Sequence, residues 1–333
     1  MTAGMATTNW TAAAIPSLAG RNIVITGANS GIGYRAAAAL AAKGAHVTLA
    51  CRDPGRGEDA VASIMRDVPH AYVTLAVLDL SSLSSVHRFA DETLAQGQPL
   101  HCLINNAGVM APPRRLETED GFELQFGTNV LGHFALTARL MPALERAATH
   151  GARVVTVASI AHQRGRIDFD DLQSLKHYSP MDSYAQSKLA DLMFALELGR
   201  RLRAAGSPIA SLAVHPGIAA TNLFRAGDYH GIERVARDAF APLVGLVLNS
   251  DAAGALPTLY AATSDAAESG GYYGPQGLFE ARGRRVGPAR IAPQTLDAAV
   301  ASRLWETCEA LTGVGFATQG VVGPRGPGHT PLI

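Results

Sequence analysis

One short segment restricts the fold of this chain more than any other: an apolar run that ends in a glycine-rich turn. Residues 22–26 form the run, and Gly27, Gly31 and Gly33 follow it before a helical pattern begins. Gly27 permits a tight turn, Gly31 lets a phosphate approach the backbone, and Gly33 lets the helix pack closely on the strand. The other residues of this turn are Asn29, Ser30 and Ile32. Because a helix N-terminus offers free N–H groups, the segment predicts a dinucleotide-binding turn.

The rest of the chain repeats this alternation of strand and helix. Its apolar runs are short and nearly continuous, as in parallel strands that are covered on both faces. The predicted strands are residues 22–26, 46–51, 72–78, 101–104, 153–158, 209–214 and a last one near 271–273. The alternation predicts an α/β protein with a single-domain Rossmann fold, a doubly wound parallel sheet of about seven strands with helices on both faces.

The domain organisation follows from composition along the chain. No linker or change of composition divides the chain before residue 280, which favours one domain. Residues 320–333 are rich in glycine and proline. We expect an N-terminal extension over residues 1–19, the Rossmann domain over 20–316 and a loose tail over 317–333.

The composition also excludes several functional classes. Lys and Arg number 28 and Asp and Glu number 28, so no net charge favours nucleic acid or anionic lipid. The three cysteines stand far apart and form no metal-ligand pattern with histidine. The N-terminal residues contain no long apolar run, so they predict neither a signal peptide nor a membrane anchor. We expect a cytoplasmic protein with no metal site and no nucleic-acid partner.

The residues after the second strand bear on which dinucleotide binds. The end of that strand is expected to reach the adenosine ribose, where a carboxylate suits a 2′-hydroxyl and a guanidinium suits a 2′-phosphate. Arg52 comes first and Asp53 follows it. Arg52 can pair with a phosphate and stack on adenine. The alternative is that Arg52 and Asp53 form a solvated pair after the strand, with no role in binding. The order of the two residues favours NADP(H) over NAD(H), and the Ser30 hydroxyl could add a phosphate contact.

A tyrosine, a lysine and a serine are the candidates for acid–base chemistry. Tyr184 and Lys188 stand four residues apart in a helical pattern, which places them on one helix face. An ammonium near a phenol favours the phenolate and so suits proton transfer. This spacing also arises by chance, so the catalytic interpretation needs a further residue. Ser159, at the end of the preceding strand, is that residue. Its hydroxyl can donate a hydrogen bond to a carbonyl oxygen, which predicts carbonyl or alcohol chemistry.

Taken together, these motifs resemble those of the short-chain dehydrogenase/reductase family. Residues 26–33 fit its TGxxxGxG pattern, residues 105–108 read Asn-Asn-Ala-Gly, and residues 184–188 fit YxxxK. The resemblance extends from about residue 20 to residue 315, and the segment LACRD with the long gap from Ser159 to Tyr184 is similar to the retinol dehydrogenase-like branch. Sugar-nucleotide epimerases also use tyrosine and lysine, but typically show TGxxGxxG. The resemblance therefore implies an oxidoreductase.

The resemblance implies roles for further residues. Asn129 resembles the fourth member of the catalytic tetrad, which would hold a water that links Lys188 to solvent. Without the resemblance, Asn129 would be interpreted as an amide on a helix surface. Asp79 is implied to accept a hydrogen bond from the adenine amino group. Tyr184 and Lys188 are implied to contact the cofactor as well, and the remaining implied cofactor contacts are Leu80, Asn106, Ala107, Gly108, Pro216, Gly217 and Thr221.

Residues beside the implied nicotinamide are candidates for substrate contacts. These candidates are Met110, Ile160, His162, Tyr178 and Ile218. Residues 222–248 could form a lid that ends in an apolar run, which suggests a lipophilic pocket. A role in the core or in a subunit interface would explain the same residues equally well.

We therefore expect an NADP(H)-dependent alcohol dehydrogenase or carbonyl reductase with Tyr184 as general acid and base. It would interconvert a ketone or aldehyde and an alcohol on a lipophilic small molecule. The alternative is a non-catalytic NADP(H)-binding sensor or scaffold on the same fold. Members of the family usually pair through helices like those at 121–140 and 184–205, which implies a homodimer or homotetramer.

Overall fold

A single sheet organises the part of the chain that the computed structural model describes, residues 10–218 and 249–316. Its strands are β1 Asn22–Thr26, β2 His46–Cys51, β3 Tyr72–Val77, β4 Cys102–Asn105, β5 Arg153–Val157, β6 Ala210–Val214, β7 Tyr272–Pro275 and β8 Val286–Pro288. They lie in the order β3-β2-β1-β4-β5-β6-β7-β8. The strands β1 to β7 are parallel, and β8 is antiparallel to β7. The predicted Rossmann fold is confirmed, with eight strands instead of about seven.

Helices cover both faces of this sheet. Those within the described residues are α1 Gly31–Ala41, α2 Pro54–Asp67, α3 Leu83–Ala95, α4 Gly132–Arg146, α5 Pro180–Ala204, α6 Asp251–Thr263 and α7 Ala298–Thr312. Alternate residues of a strand point to opposite faces, so each strand serves two cores. Val24 packs in the core beneath α3, α4, α5 and α7, whereas Ile23 and Ile25 pack in the core beneath α1, α2 and α6.

Two features of the fold differ from the sequence prediction. The strand β8 was not predicted because it is only three residues long and ends in Pro288, which a sheet edge tolerates. The helix predicted over residues 121–140 begins at Leu124 and runs through a π-helix, Phe126–Leu131, before α4. The π-helix ends at a close packing point, since a Cβ on the next residue, Gly132, would lie 2.4 Å from Leu80 O. Short π segments of this kind are frequent at functional sites.

Other sequence predictions lie partly beyond the described residues. Thr221, the predicted lid over residues 222–248 and the predicted tail over residues 317–333 fall outside the described ranges. Across the described ranges, none of the helices combines the length and the hydropathy that crossing a bilayer requires. All three cysteines, Cys51, Cys102 and Cys308, are buried as free thiols.

Candidate active site

A cleft of about 1170 Å³ opens at the carboxyl ends of the parallel strands. The strand order changes direction between β1 and β4, and doubly wound sheets bind ligands at such a point. Most of the predicted site residues line this cleft. They are Gly27, Asn29, Ser30, Gly31, Ile32, Gly33, Arg52, Asp79, Leu80, Asn106, Ala107, Gly108, Met110, Ser159, Ile160, Tyr184, Lys188, Pro216, Gly217 and Ile218. The fold thus brings together residues that are up to 191 positions apart, from Gly27 to Ile218.

The glycine turn forms one wall of the cleft. Gly27 and Gly31 have φ values of +64° and +58°, which side chains disfavour. A Cβ on Gly33 would lie 2.5 Å from Asn106 Nδ2, so only glycine fits between α1 and the end of β4. Ser30 precedes α1 without capping it through its side chain, and the first turn of α1 contains no acidic residue. The free N–H groups at this helix start fit the pyrophosphate of a dinucleotide.

The Asn-Asn-Ala-Gly segment fixes the floor of the cleft. The hydroxyl of Thr26 accepts hydrogen bonds from the backbone N–H groups of Asn106 and Ala107, each at 2.9 Å. In return, Nδ2 of Asn106 donates to Thr26 O at 2.8 Å. These bonds tie the ends of β1 and β4 together. Asn106 therefore braces the sheet at the point where the cleft opens.

Arg52 and Asp53 have different environments at the end of β2. Asp53 caps α2 because its Oδ1 accepts the backbone N–H of Arg56 at 3.1 Å. Arg52 is exposed at the cleft, and Arg56 lines the same end of it. Sequence reasoning missed Arg56; its position one helical turn after the strand could have indicated it. Two guanidinium groups therefore flank the place where a dinucleotide ribose would lie.

Tyr184 and Lys188 lie on the cleft side of α5, as their spacing predicts. Both are buried, and Lys188 Nζ lies 6.0 Å from the centre of the Tyr184 ring. The ammonium donates to Asp191 Oδ2 at 2.7 Å and to Val157 O at 3.0 Å. Burial on its own lowers the pKa of Lys188, but Asp191 and Tyr184 outweigh burial and raise that pKa above its usual value. The structure thus places a charged lysine one turn from the phenol.

Ser159 follows the end of β5 and faces the same space. Its Oγ accepts the backbone N–H of Ala161 at 3.2 Å, so the hydroxyl proton can point to an oxygen in the cleft. Its carbonyl oxygen lies 2.7 Å from His162 Nδ1. His162 was expected to contact substrate, but it is fully buried and does not line the cleft. The other ring nitrogen of His162 accepts the backbone N–H of Ala292 at 3.3 Å, so this side chain supports the loop that carries Ser159.

Asn129 is fully buried, contrary to the alternative of a helix-surface amide. The π-helix aims its side chain at Val109, where Oδ1 accepts the backbone N–H at 2.8 Å and Nδ2 donates to the carbonyl oxygen at 3.0 Å. Nδ2 also lies 3.0 Å from Ser187 Oγ on α5. Although Asn129 does not line the cleft, it ties the segment that follows β4 to the helix of Tyr184 and Lys188.

Two further predicted residues are held by neighbouring groups. The hydroxyl of Tyr178 donates to Pro112 O at 2.7 Å, and Tyr178 does not line the cleft, so it supports the wall instead of facing a substrate. Asp79 does line the cleft, and its Oδ1 accepts hydrogen bonds from the backbone N–H and the hydroxyl of Ser81 at 2.9 and 2.6 Å. These bonds fix the direction of the Asp79 carboxylate.

His133, which sequence reasoning did not single out, lies beneath the site on α4. One ring nitrogen lies 2.9 Å from Thr26 Oγ1 and the other 2.8 Å from Asn129 O. Burial lowers the pKa of His133 to about 4, and the charge of Lys188 adds to that shift. A neutral imidazole therefore joins β1 to the π-helix. The sequence could not indicate this role, because His133 lies 107 positions from Thr26 and only the fold brings the two side chains together.

Comparison with known proteins agrees with this architecture. A family model described as short chain dehydrogenase matches residues 21–228. The chain belongs to the short-chain dehydrogenase family. Polyprenol dehydrogenase from Mus musculus is 42% identical over 304 residues, which cover 90% of this chain and 86% of that protein. Retinol dehydrogenase 13 from Homo sapiens is 39% identical over 310 residues, covering 91% and 89% of the two chains.

A solved structure supports the same assignment. The crystal structure of an uncharacterized protein from Mycobacterium paratuberculosis aligns with a TM-score of 0.74 and 44% identity, covering 93% of this chain and 99% of that one. The predicted resemblance to the retinol dehydrogenase-like branch of the short-chain dehydrogenases is confirmed by these relatives. The protein is an oxidoreductase of this family, with an NAD(P)-binding fold.

Proposed function

We propose that this short-chain dehydrogenase interconverts a lipophilic alcohol and the corresponding ketone or aldehyde with NADP(H). One observation carries the proposal: Ser159, Tyr184 and Lys188 line the same cleft as the glycine turn. A dinucleotide held at that turn and a small carbonyl compound beside Tyr184 would share one cleft. The glycine turn and the uncapped start of α1 suit the pyrophosphate, and Gly33 lets α1 approach the end of β4 closely.

The proposed mechanism assigns proton transfer and orientation to three side chains. The cofactor, when bound, supplies or accepts the hydride. In the reductive direction, the hydroxyls of Ser159 and Tyr184 donate hydrogen bonds to the substrate carbonyl oxygen, which stabilises the negative charge that develops there. Tyr184 then gives its proton to this oxygen. The ammonium of Lys188 stabilises the phenolate that remains until a proton from solvent restores the phenol.

Apolar side chains at the outer part of the cleft support a lipophilic substrate. Met110, Leu116, Met181, Ile218 and Phe279 line it, and Phe279 is 87% exposed. Exposed aromatic and thioether groups at an opening favour an apolar ligand because its binding removes this surface from water. The names of the relatives, polyprenol dehydrogenase and retinol dehydrogenase, point to the same class of substrate.

The proposed preference for NADP(H) depends on the positive charge at the end of β2. Arg52, Asp53 and Arg56 all line this end of the cleft, and the carboxylate of Asp53 is engaged as the cap of α2. Guanidinium groups suit a 2′-phosphate through paired, charge-assisted hydrogen bonds. We therefore propose that these two arginines select the phosphorylated cofactor.

The decisive experiment combines one substitution with a substrate screen. NADPH or NADH oxidation is followed with long-chain aldehydes, retinal-like aldehydes and aromatic ketones. The wild type is expected to be active, and Tyr184→Phe is expected to lose at least about 10³-fold in kcat because it removes the proton donor. NADPH binding to Tyr184→Phe, measured by fluorescence titration, should persist. Full activity of Tyr184→Phe would contradict the mechanism, and NADPH binding without any turnover in the wild type would favour the sensor or scaffold.

A further inference from the structure

The ammonium of Lys188 has an unusual environment for a lysine that lines a cleft. Its side chain is 5% exposed, and that of its partner Asp191 is 3% exposed. The two residues stand three positions apart on α5, with Nζ and Oδ2 separated by 2.7 Å. Removing both charges from water is costly unless each compensates the other. Each of the two buried charges therefore depends on the other to compensate for its loss of hydration.

We propose that Asp191 is a positioning residue that keeps Lys188 charged and aimed at the cleft. An ammonium has three N–H donors. Asp191 Oδ2 and Val157 O take two of them, which leaves one for a ligand or a water in the cleft. The inference deepens the proposed function, because Lys188 would be the group that stabilises the phenolate of Tyr184.

The surroundings of the pair make Asp191 the counter-ion. Among the residues that the structure describes, His133 on α4 and Cys308 on α7 are the titratable groups that approach the pair from other helices. Burial lowers the pKa of His133 and raises the pKa of Cys308, so both are neutral near pH 7. On α5 itself, Tyr184 is a further titratable group close to Lys188. Near neutral pH, Asp191 therefore supplies the negative charge beside Lys188.

The pH range over which the pair exists follows from the same burial. Burial raises the pKa of Asp191 to about 6, with Lys188 opposing the shift. Above that pH the carboxylate is ionised and compensates the ammonium. Without the carboxylate, only Tyr184 would oppose the effect of burial, so Lys188 would release its proton at a lower pH. Asp191 thus extends the range in which the lysine stays charged toward alkaline pH.

The experiment is an NMR titration of lysine side chains in the full-length protein. The sequence contains three lysines, Lys43, Lys176 and Lys188, so 13Cε-lysine labelling gives three signals. In Asp191→Asn, which keeps the size and an acceptor oxygen, we expect the Lys188 midpoint to fall by more than about one pH unit. The signals of Lys43 and Lys176 serve as internal references. An unchanged Lys188 midpoint would overturn the proposal, whether or not the protein has the proposed activity.

A matched control separates this role from a structural one. Glu197 on α5 is also a buried carboxylate in an ion pair, since it accepts hydrogen bonds from Arg200 and Arg201 at 2.6 to 2.7 Å. Glu197→Gln should lower stability and leave the Lys188 titration unchanged.

Activity provides the functional readout. If the proposed reaction is observed, Asp191→Asn should retain kcat near pH 7 within a few-fold and, relative to the wild type, lose about 10-fold for each pH unit above its lowered Lys188 midpoint. A structural defect would instead lower kcat by the same factor at every pH. That uniform loss would contradict the role of Asp191 and leave the proposed function standing.

Discussion

Neighbouring residues of opposite charge can have separate functions, as Arg52 and Asp53 illustrate. The Asp53 carboxylate is used locally, because it caps the helix that begins at the next residue. Arg52 lies on the cleft side of the same turn. The sequence alone left open whether the two form a solvated pair. In the structure, one oxygen of this carboxylate accepts the backbone N–H of Arg56, and Asp53 lines the cleft together with Arg52.

The first residue-level prediction concerns cofactor choice. Arg52→Ala should raise KM for NADPH about 10-fold or more and leave KM for NADH within about two-fold, because only the 2′-phosphate needs the guanidinium. Steady-state kinetics with both cofactors measure the ratio. Arg66→Ala provides the control, since Arg66 lies on α2, the helix that follows Arg52, is exposed and does not line the cleft. Equal changes for both cofactors would contradict the selection by Arg52.

Residues fixed by local sequence were predictable, and residues fixed by tertiary contacts were not. Tyr184 and Lys188 share a helix face by spacing, and Ser159 follows a strand, so the cleft position of each could be predicted. His162 was expected at the substrate, but its ring is held by Ser159 O and Ala292 N. The latter bond joins positions 130 residues apart, and no local pattern records such a contact.

At the level of elements, the π-helix before α4 is the main departure from regular structure. It turns Asn129 inward to Val109, and it brings the backbone oxygen of Asn129 to His133. His133 in turn reaches Thr26 at the end of β1. The end of β1 and Asn129 are thus connected through one buried imidazole. Strands and helices were predictable from hydrophobic periodicity, but the π turn was not, because it leaves that periodicity nearly unchanged.

The pH dependence of stability should reveal this connection. Burial holds the pKa of His133 at about 4 in the folded protein, below the usual histidine pKa of 6.5. Between pH 6.5 and about pH 4, this histidine is protonated in the unfolded chain but not in the folded protein. The free energy of unfolding therefore decreases as the pH falls through this range. The loss amounts to at most about 3 kcal/mol. Urea unfolding between pH 7 and 4 should show a smaller acid loss in His133→Asn than in the wild type.

His70 is the matched control for that measurement, because it is an exposed histidine outside the cleft. His70→Asn should follow the wild-type curve. If His133→Asn and the wild type lose the same free energy between pH 7 and pH 4, the imidazole is not held neutral. In that case the link between β1 and the π-helix would need another explanation.

On the scale of the whole molecule, α7 covers the helices through which a partner was expected to bind. Trp305 of α7 packs against Phe134 of α4 and Phe194 of α5, with ring centres 5.1 and 5.8 Å apart. Residues 183–195 of α5 are all buried, so these helical turns are covered on every side. Self-association as a homodimer or homotetramer stays a prediction, as does the cytoplasmic location. A partner would have to bind outside the aromatic cluster that Trp305 completes.

Removal of Trp305 should therefore weaken the whole fold. Trp305→Ala is expected to lower the free energy of unfolding by about 3–5 kcal/mol, since the side chain is almost fully buried. It should also promote self-association, visible by light scattering after gel filtration, because apolar rings of α4 and α5 become exposed. Trp10→Ala tests a partly exposed tryptophan that packs on Tyr260 and should cost less. Equal losses in the two variants would contradict the special role of α7.

The burial of all three thiols has a practical consequence for labelling. Burial raises the pKa of Cys51 to about 11 and of Cys102 to about 12, and it raises the pKa of Cys308 as well. Since maleimides and disulfide reagents attack the thiolate, the native protein should resist both. A cysteine introduced in place of an exposed residue such as Leu175 or Met65 would then be the single attachment point for a dye or spin label. Such probes could be placed without first removing the natural cysteines.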